Sequence, residues 1–254
     1  MKVLGIGNAI VDVICKVEDS FLSENSLAKG TMKLVDEAEF KKLLSTIKIE
    51  KTVSGGSVAN SIVGLSQLGN KVGFIGKISD DELGNKYEEG LLKENVDFFY
   101  SKKKERIPTG TCLILITPDS ERTMVTFLGT AGKISENDID VNALKKSEIL
   151  FLEGYLWDEG DPKKAFDKAI QNANKNFAGI IINAGALTHT SISILDALLS
   201  IKIPIIEVHL SNINGREKFR QTSYISKHAL GTISGLGFNS YLAGIFCILK
   251  QLNS

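Results

Sequence analysis

The chain has 254 residues, of which 30 are Lys or Arg and 30 are Asp or Glu, so its formal net charge is zero. That balance removes the electrostatic case for nucleic acid or an anionic membrane as partner, while the length supplies a core for one large domain or two small ones. No run approaches the roughly 20 apolar residues of a membrane span, and the three scattered cysteines (Cys15, Cys112 and Cys247) suit a reducing compartment, so a cytoplasmic protein is expected.

The N-terminus, KVLGIGNAIVDVICKV, reads as two β-rich runs broken at Gly5, Gly7 and Asn8. It lacks the long apolar stretch of a signal peptide and carries Asp12 early. VDEAEFKKLLSTI has helical spacing. SGGSVANSIVGLSQLG is a glycine turn entering a helix whose apolar stripe is Ala59, Ile62, Val63, Leu65 and Leu68, stopped at Gly69. KVGFIGKI is a strand, and DDELGNKYEEGLLKENV a charged helix that begins with acidic residues, as the dipole prefers. GTCLILITPDSERTMVTFLG predicts a hairpin turning at TPDSER. ENDIDVNALKKSE reads as helical and ILFLEGYLW as a buried strand. DPKKAFDKAIQNANK opens on an Asp cap with Pro at the first helical position.

From there strands and helices alternate. AGIIINAG is a strand and TSISILDALLSI a helix; IPIIEVHL and ALGTISGLG are strands; FNSYLAGIFCILKQL is the closing helix. This rhythm predicts an α/β fold, a mostly parallel sheet with helices on both faces. No linker, repeat or low-complexity tract divides the chain.

Two constellations carry chemistry. In the first, Asp12 closes an early strand and SGGSVAN follows about forty residues later. Gly55 and Gly56 let backbone approach a ligand before a helix N-terminus, and Asn60 both donates and accepts. This set suits vicinal hydroxyls, although a strand–helix turn needs glycine anyway. GIGNAIVDV, KGTMKLVDE, SGGSVANSIVGLSQLGNKVGFIGKISDDELG and TGTCLILITPDSERTMVTFLG occur in that order and resemble the N-terminal half of ribokinase-like (PfkB family) sugar and nucleoside kinases, especially the adenosine-kinase-like branch. The resemblance implies that Asp12, Gly55, Gly56 and Asn60 bind sugar hydroxyls and that residues 107–128 belong to a small β-lid. Val58 departs from the smaller residue usual in that loop. The Gly-Ala-Gly-Asp motif that provides the family's anion hole and catalytic Asp is not in the sequence, nor is the ATP site. Phosphoryl transfer is therefore not expected.

The second constellation is the histidines. The chain has three, and two of them, His189 and His209, follow short apolar runs. In an open parallel sheet ligands bind outside the C-terminal ends of strands, so imidazoles at two strand ends can converge on one crevice. One strand-end histidine is more often a hydrogen-bonded structural residue. Two of them, with Asn183, Ser211 and Arg220 nearby in sequence, favour a site. Arginine occurs only at 106, 122, 216 and 220, so an arginine is a better site candidate here than a lysine, because its planar fork suits carboxylates and phosphates.

The stretch AGIIINAGALTHTSISILDALLSIKIPIIEVHLSNINGREKFRQTSYISKHALGTISGLGFNSYLAGI resembles the C-terminal half of type II 3-dehydroquinate dehydratases, which have a flavodoxin-like fold. That resemblance implies that His209 is the general acid and that Glu207 orients its ring. Leu210 and Ser211 would hold the substrate carboxylate, and Asn183, His189 and Arg220 the ring hydroxyls. Asp196 would make a subunit contact. The family's Asn-Leu-Asn-Leu-Leu-Gly loop and its Arg-and-Tyr lid, which carries the base, do not occur; Tyr87, Tyr100 and Tyr155 lie in no comparable loop.

The expected division is a kinase-type part over 1–174 and a dehydratase-type part over 175–254, joined within a helix common to both and able to continue one sheet. Three functions stand open. The chain is an impaired dehydratase, a sugar or nucleoside binder without phosphoryl transfer, or an inactive fusion. A small-molecule substrate is expected, with no cofactor, metal, nucleic acid or membrane partner, and a homo-oligomer is left open.

Overall fold

The computed structural model describes residues 2–153, 160–237 and 239–251. The strands are β1 (Val3–Ile6), β2 (Ile10–Lys16), β3 (Met32–Leu34), β4 (Ile49–Gly55), β5 (Val72–Ile75), β6 (Val96–Phe98), β7 (Gly110–Ile116), β8 (Arg122–Phe127), β9 (Ile149–Glu153), β10 (Gly179–Asn183), β11 (Ile205–His209) and β12 (Gly231–Ser234). The helices are α1 (Asp19–Glu24), α2 (Glu37–Leu44), α3 (Ser57–Gln67), α4 (Glu82–Lys93), α5 (Val141–Lys145), α6 (Asp161–Asn176), α7 (Ile192–Leu199) and α8 (Asn239–Gln251).

Seven strands form one sheet in the order β12-β11-β10-β9-β1-β5-β6. Every pairing in it is parallel. The sheet passes without a break from β9 to β10, with Gly179 opposite Ile149 and Asn183 opposite Glu153. Alternation of side chains splits the core in two. Phe151, Ile181, Ile206 and Val208 face one way, where α3 and α8 cover them. Leu150, Leu152, Ile180 and Ile182 face the other way, against Phe166 and Ile170 of α6 and Ile194 and Leu198 of α7.

The second sheet has five strands in the order β3-β8-β7-β2-β4, and the chain enters it directly from β1 through residues 7–9. It mixes the expected β7–β8 hairpin with a parallel β2–β7 pair and an antiparallel β2–β4 pair.

Two local readings need correction. ENDIDVNALKKSE is not one helix: Glu136–Asp138 forms a 3-10 turn and α5 starts only at Val141. The side chain of Asp140 accepts from the Asn142 and Ala143 amides and starts a fresh helix there. Helix α6 begins at Asp161, which puts Pro162 at its second position. The reading of ILFLEGYLW as one strand holds through Glu153, and residues 154–159 lie outside the described residues.

Candidate active site

The lid sheet presents a row of register partners, Val53, Asp12, Cys112, Thr126 and Leu34. Partners across a ladder point the same way, so Asp12 and Thr126 share one face. Thr126 Oγ1 donates to Cys112 Sγ at 3.2 Å. Burial strips water from the Asp12 carboxyl and pushes its pKa up to about 6. A cavity of about 460 Å³ opens at the Leu34 end of this row, between the lid and the start of α6, walled by Phe127, Leu128, Lys133 and Asp161.

Gly55 lies directly against Asp12. Gly56 caps α3 with a φ of +94°, and a Cβ there would stand 2.3 Å from the Asn8 carbonyl oxygen. This position requires glycine on both counts. Val58 is buried and packs back over Gly7, which keeps its extra bulk out of the cleft. Asn60 does not join the group. Its side chain is exposed on the first turn of α3, beside a different cavity that Val11 and Tyr87 line.

The second constellation assembles at the ends of β10 and β11. Glu207 is fully buried. Its Oε1 lies 2.8 Å from His209 Nε2 and 2.9 Å from Ser223 Oγ, and it also accepts from Thr188 Oγ1. Thr232 Oγ1 donates to Oε2 at 3.2 Å. Burial raises the carboxyl's pKa, but the hydrogen bonds from His209, Thr188 and Ser223 outweigh it, and the net result is lowered. An ionised carboxylate only accepts, so Nε2 of His209 carries the hydrogen and Nδ1 is the nitrogen left to exchange a proton.

The His189 ring stacks parallel to His209 with centroids 6.3 Å apart. Its Nδ1 donates to the Thr222 carbonyl at 2.7 Å. Phe219 meets His189 edge-on, and the Arg220 guanidinium lies 5.0 Å from the Phe219 centroid. Arg220 Nε donates to Glu217 at 2.9 Å. Asn183 is buried; its Nδ2 donates to Tyr241 OH at 2.7 Å and its Oδ1 accepts from the Gly185 amide. Leu210 and Ser211 are exposed just past His209. Asp196 stands apart, exposed on α7 in a groove shared with Lys163 and Asp167 of α6.

Three residues escaped the sequence reading. Glu153 ends β9 as a charged residue closing an apolar run, the same signal that marked Glu207. It is 3% exposed, and burial pushes its pKa up to about 7 against a hydrogen bond from the Ser57 side chain. Tyr241 looks like one more member of an apolar helix stripe. Tyr224 neighbours Ser223, and its amide donates to the Thr188 carbonyl. Of the tyrosines considered as a base, Tyr87 donates to the Gly55 carbonyl, Tyr100 is buried, and Tyr155 lies outside the described residues. No cluster of metal-binding side chains occurs among the described residues, and no described helix is long and apolar enough to cross a membrane.

The profile of the pfkB family carbohydrate kinases matches residues 3–186, and that of class II dehydroquinases matches residues 159–249. The 3-dehydroquinate dehydratase of Prochlorococcus marinus strain MIT 9515 is 44% identical over 125 residues, 48% of this chain and 84% of that protein. The chain belongs to both families. A second dehydroquinase relative, from Endomicrobium trichonymphae, is 42% identical over 141 residues, covering 56% of this chain and 96% of that protein. Alignments of this length begin upstream of residue 159, inside the stretch that the kinase profile also covers.

Among solved structures, the adenosine kinase from Sinorhizobium meliloti matches with a TM-score of 0.72 and 30% identity over 82% of this chain. A probable sugar kinase protein from Rhizobium etli CFN 42 matches with a TM-score of 0.77 and 26% identity over 92%. The chain spans 64% of the length of the first and 73% of the second. The fold is thus ribokinase-like, and residues 159–249 are similar in sequence to class II dehydroquinases.

Proposed function

We propose that the chain is a weak type II dehydroquinase, a lyase that dehydrates 3-dehydroquinate. Residues 1–174 act as the kinase-derived scaffold and 175–254 as the dehydroquinase part. The observation that carries this reading is the Glu207–His209 pair, in which a buried, ionised carboxylate fixes the ring and leaves Nδ1 to exchange a proton. In this reading protonated His209 donates to the leaving hydroxyl and Glu207 steadies the charged ring. His189, Asn183 and Arg220 hold the substrate's hydroxyls, and the Leu210 amide with Ser211 holds its carboxylate. Asp196 serves a contact between copies. The family's Tyr base and Arg loop do not occur in the sequence, so turnover is weak. Losing a general base commonly costs about 10²–10⁴ in rate.

The test is 3-dehydroquinate turnover followed at the enone absorbance. Weak turnover that falls further in His209→Ala supports the reading, and a rate equal in the two chains overturns it.

One observation favours a second reading, as a binder of a sugar or nucleoside. The Asp12 row and the cavity beside Leu34 and Phe127 combine a hydroxyl acceptor with an apolar slot. Without a Gly-Ala-Gly-Asp motif this part transfers no phosphate, so ATP consumption with adenosine or ribose is nil. Calorimetry with adenosine and ribose separates binding from an inactive fusion.

A further inference from the structure

The strand beside β10 is β9, which lies in the stretch that the kinase profile covers. Glu153 and Asn183 are direct partners across the β9–β10 ladder, so both side chains leave the same face of the sheet, toward α3 and α8. On the next strand Ile182 pairs with Glu207, which puts His209 one residue beyond the level of Asn183 and on the opposite face, toward α7. Strand spacing of about 4.8 Å separates the Glu153 and His209 backbones by roughly 10 Å along the rim. That is room for one six-membered ring.

We propose that Glu153 shares a ligand crevice with Asn183, His189 and His209, and that it is the proton acceptor for a cyclic β-hydroxy ketone bound across the ends of β9, β10 and β11. The inference rests on the dehydroquinase reading and adds the group that the C-terminal part does not itself carry. A ring lying on the rim meets Glu153 from one face and His209 from the other, which is the arrangement an elimination needs for a separate acceptor and donor.

The step is as follows. The proton on the carbon between the ketone and the carbinol passes to the Glu153 carboxylate, and its electron pair forms the enolate. Collapse of the enolate forms the C=C bond and expels the β-hydroxyl, which takes a proton from imidazolium His209 and leaves as water. The proton on Glu153 returns to His209 through solvent.

Three observations support the acceptor. Glu153 is buried, with no cation against it among the described residues, and it accepts a hydrogen bond from the Ser57 side chain. Its raised pKa, about 7, matches a base working near neutrality. Beyond it, where β1 ends, Asn8 is 9% exposed and its Oδ1 is buried without a hydrogen-bond donor among the described residues, an acceptor suited to a ligand hydroxyl.

The experiment compares the full chain with Glu153→Gln and His209→Ala, measuring 3-dehydroquinate binding by calorimetry and turnover by absorbance. The expected result is binding within about threefold of the parent in Glu153→Gln, with turnover reduced about 10²-fold or more. The parent's kcat rises with pH through about 7, and this limb is lost in the variant. Turnover that survives Glu153→Gln but not His209→Ala overturns the inference and leaves the dehydroquinase reading standing. Binding by the parent without turnover overturns the inference and the lyase reading together. Neither binding nor turnover by the parent overturns that reading, and the inference with it. If circular dichroism shows Glu153→Gln unfolded, deuterium uptake from D2O at the substrate's α-carbon by the parent decides. Uptake rising through pH 7 supports the acceptor, and no uptake between pH 6 and 8 overturns it.

Discussion

Gly55 and Asp12 touch so closely that no side chain fits between them: a Cβ at position 55 would lie 2.3 Å from Asp12 Oδ2 and 2.4 Å from Cγ. The carboxyl is short and stiff, so it cannot swing aside as a long chain would. Gly55→Ala should destabilise the chain by roughly 1–3 kcal/mol, within the range for overpacking. Asp12→Ala should be far less costly, and in its background the Gly55→Ala penalty should fall by about 1 kcal/mol or more. A double-mutant cycle from urea midpoints measures this; strictly additive effects would contradict the contact.

Glu207 is held by an imidazole and three hydroxyls, and removing it leaves those donors without their acceptor. Glu207→Ala should cost about 2–4 kcal/mol. The denaturation midpoint should drop with little change in the slope. A loss under 0.5 kcal/mol would mean that the network contributes nothing to the fold.

Stability should fall as pH rises toward neutrality. Glu153 shifts from 4.5 to about 7 on folding, and Asp12 from 3.8 to about 6. Between those values the folded chain holds protons that the unfolded chain releases, so their stabilisation is fully present below about 4 and lost as pH passes 6 and then 7. Glu207, with its lowered pKa, acts in the opposite sense: its contribution is present above its ordinary value of 4.5 and is lost as pH falls below it. The melting temperature should therefore decline from pH 5.5 to 8, and Glu153→Gln should flatten most of that slope. A melting temperature that climbs over this interval would rule the assignment out.

Tyr241 receives the Asn183 amide at 2.7 Å, and its ring packs on Phe151 with centroids 4.7 Å apart. Tyr241→Phe keeps the packing and removes the oxygen. The expected cost is about 1–2 kcal/mol. Amide hydrogen exchange at Gly185, whose N–H bonds to the Asn183 side chain, should quicken in the variant. Unchanged exchange there would show that Asn183 is anchored otherwise.

The second half of the fold was the more legible in sequence. Its strands are short unbroken runs such as GIIIN and IIEVH, and each is followed by a helical stripe, so length and period separate them. The lid was harder to read. β4 is IEKTVSG, exposed along its first three residues, and β3 has only three residues, all exposed, so neither shows a buried period. Their pairing depends on β2 and β8, which are distant in sequence. At the site, His189 and His209 stood out because the chain has so few histidines. Glu153 announced itself no less clearly, as a charge ending a buried run, but it became interesting only when β9 and β10 proved to be neighbours. Asn60 was read from a helix start, and the sequence could not reveal which way its side chain leaves the helix.

The strand order has a consequence for how the chain acquires its shape. β10, β11 and β12 add to β9 one after another, each beside the strand that precedes it in sequence. β1, by contrast, is made first and then waits with one edge bare until residues 149–152 exist to pair with it. Closing so long a loop is entropically slow and comes before most of the reward. The β1–β9 union should thus set the pace of folding, with the C-terminal strands following quickly behind it. During synthesis, the exposed edge of β1 is where neighbouring nascent chains would tangle.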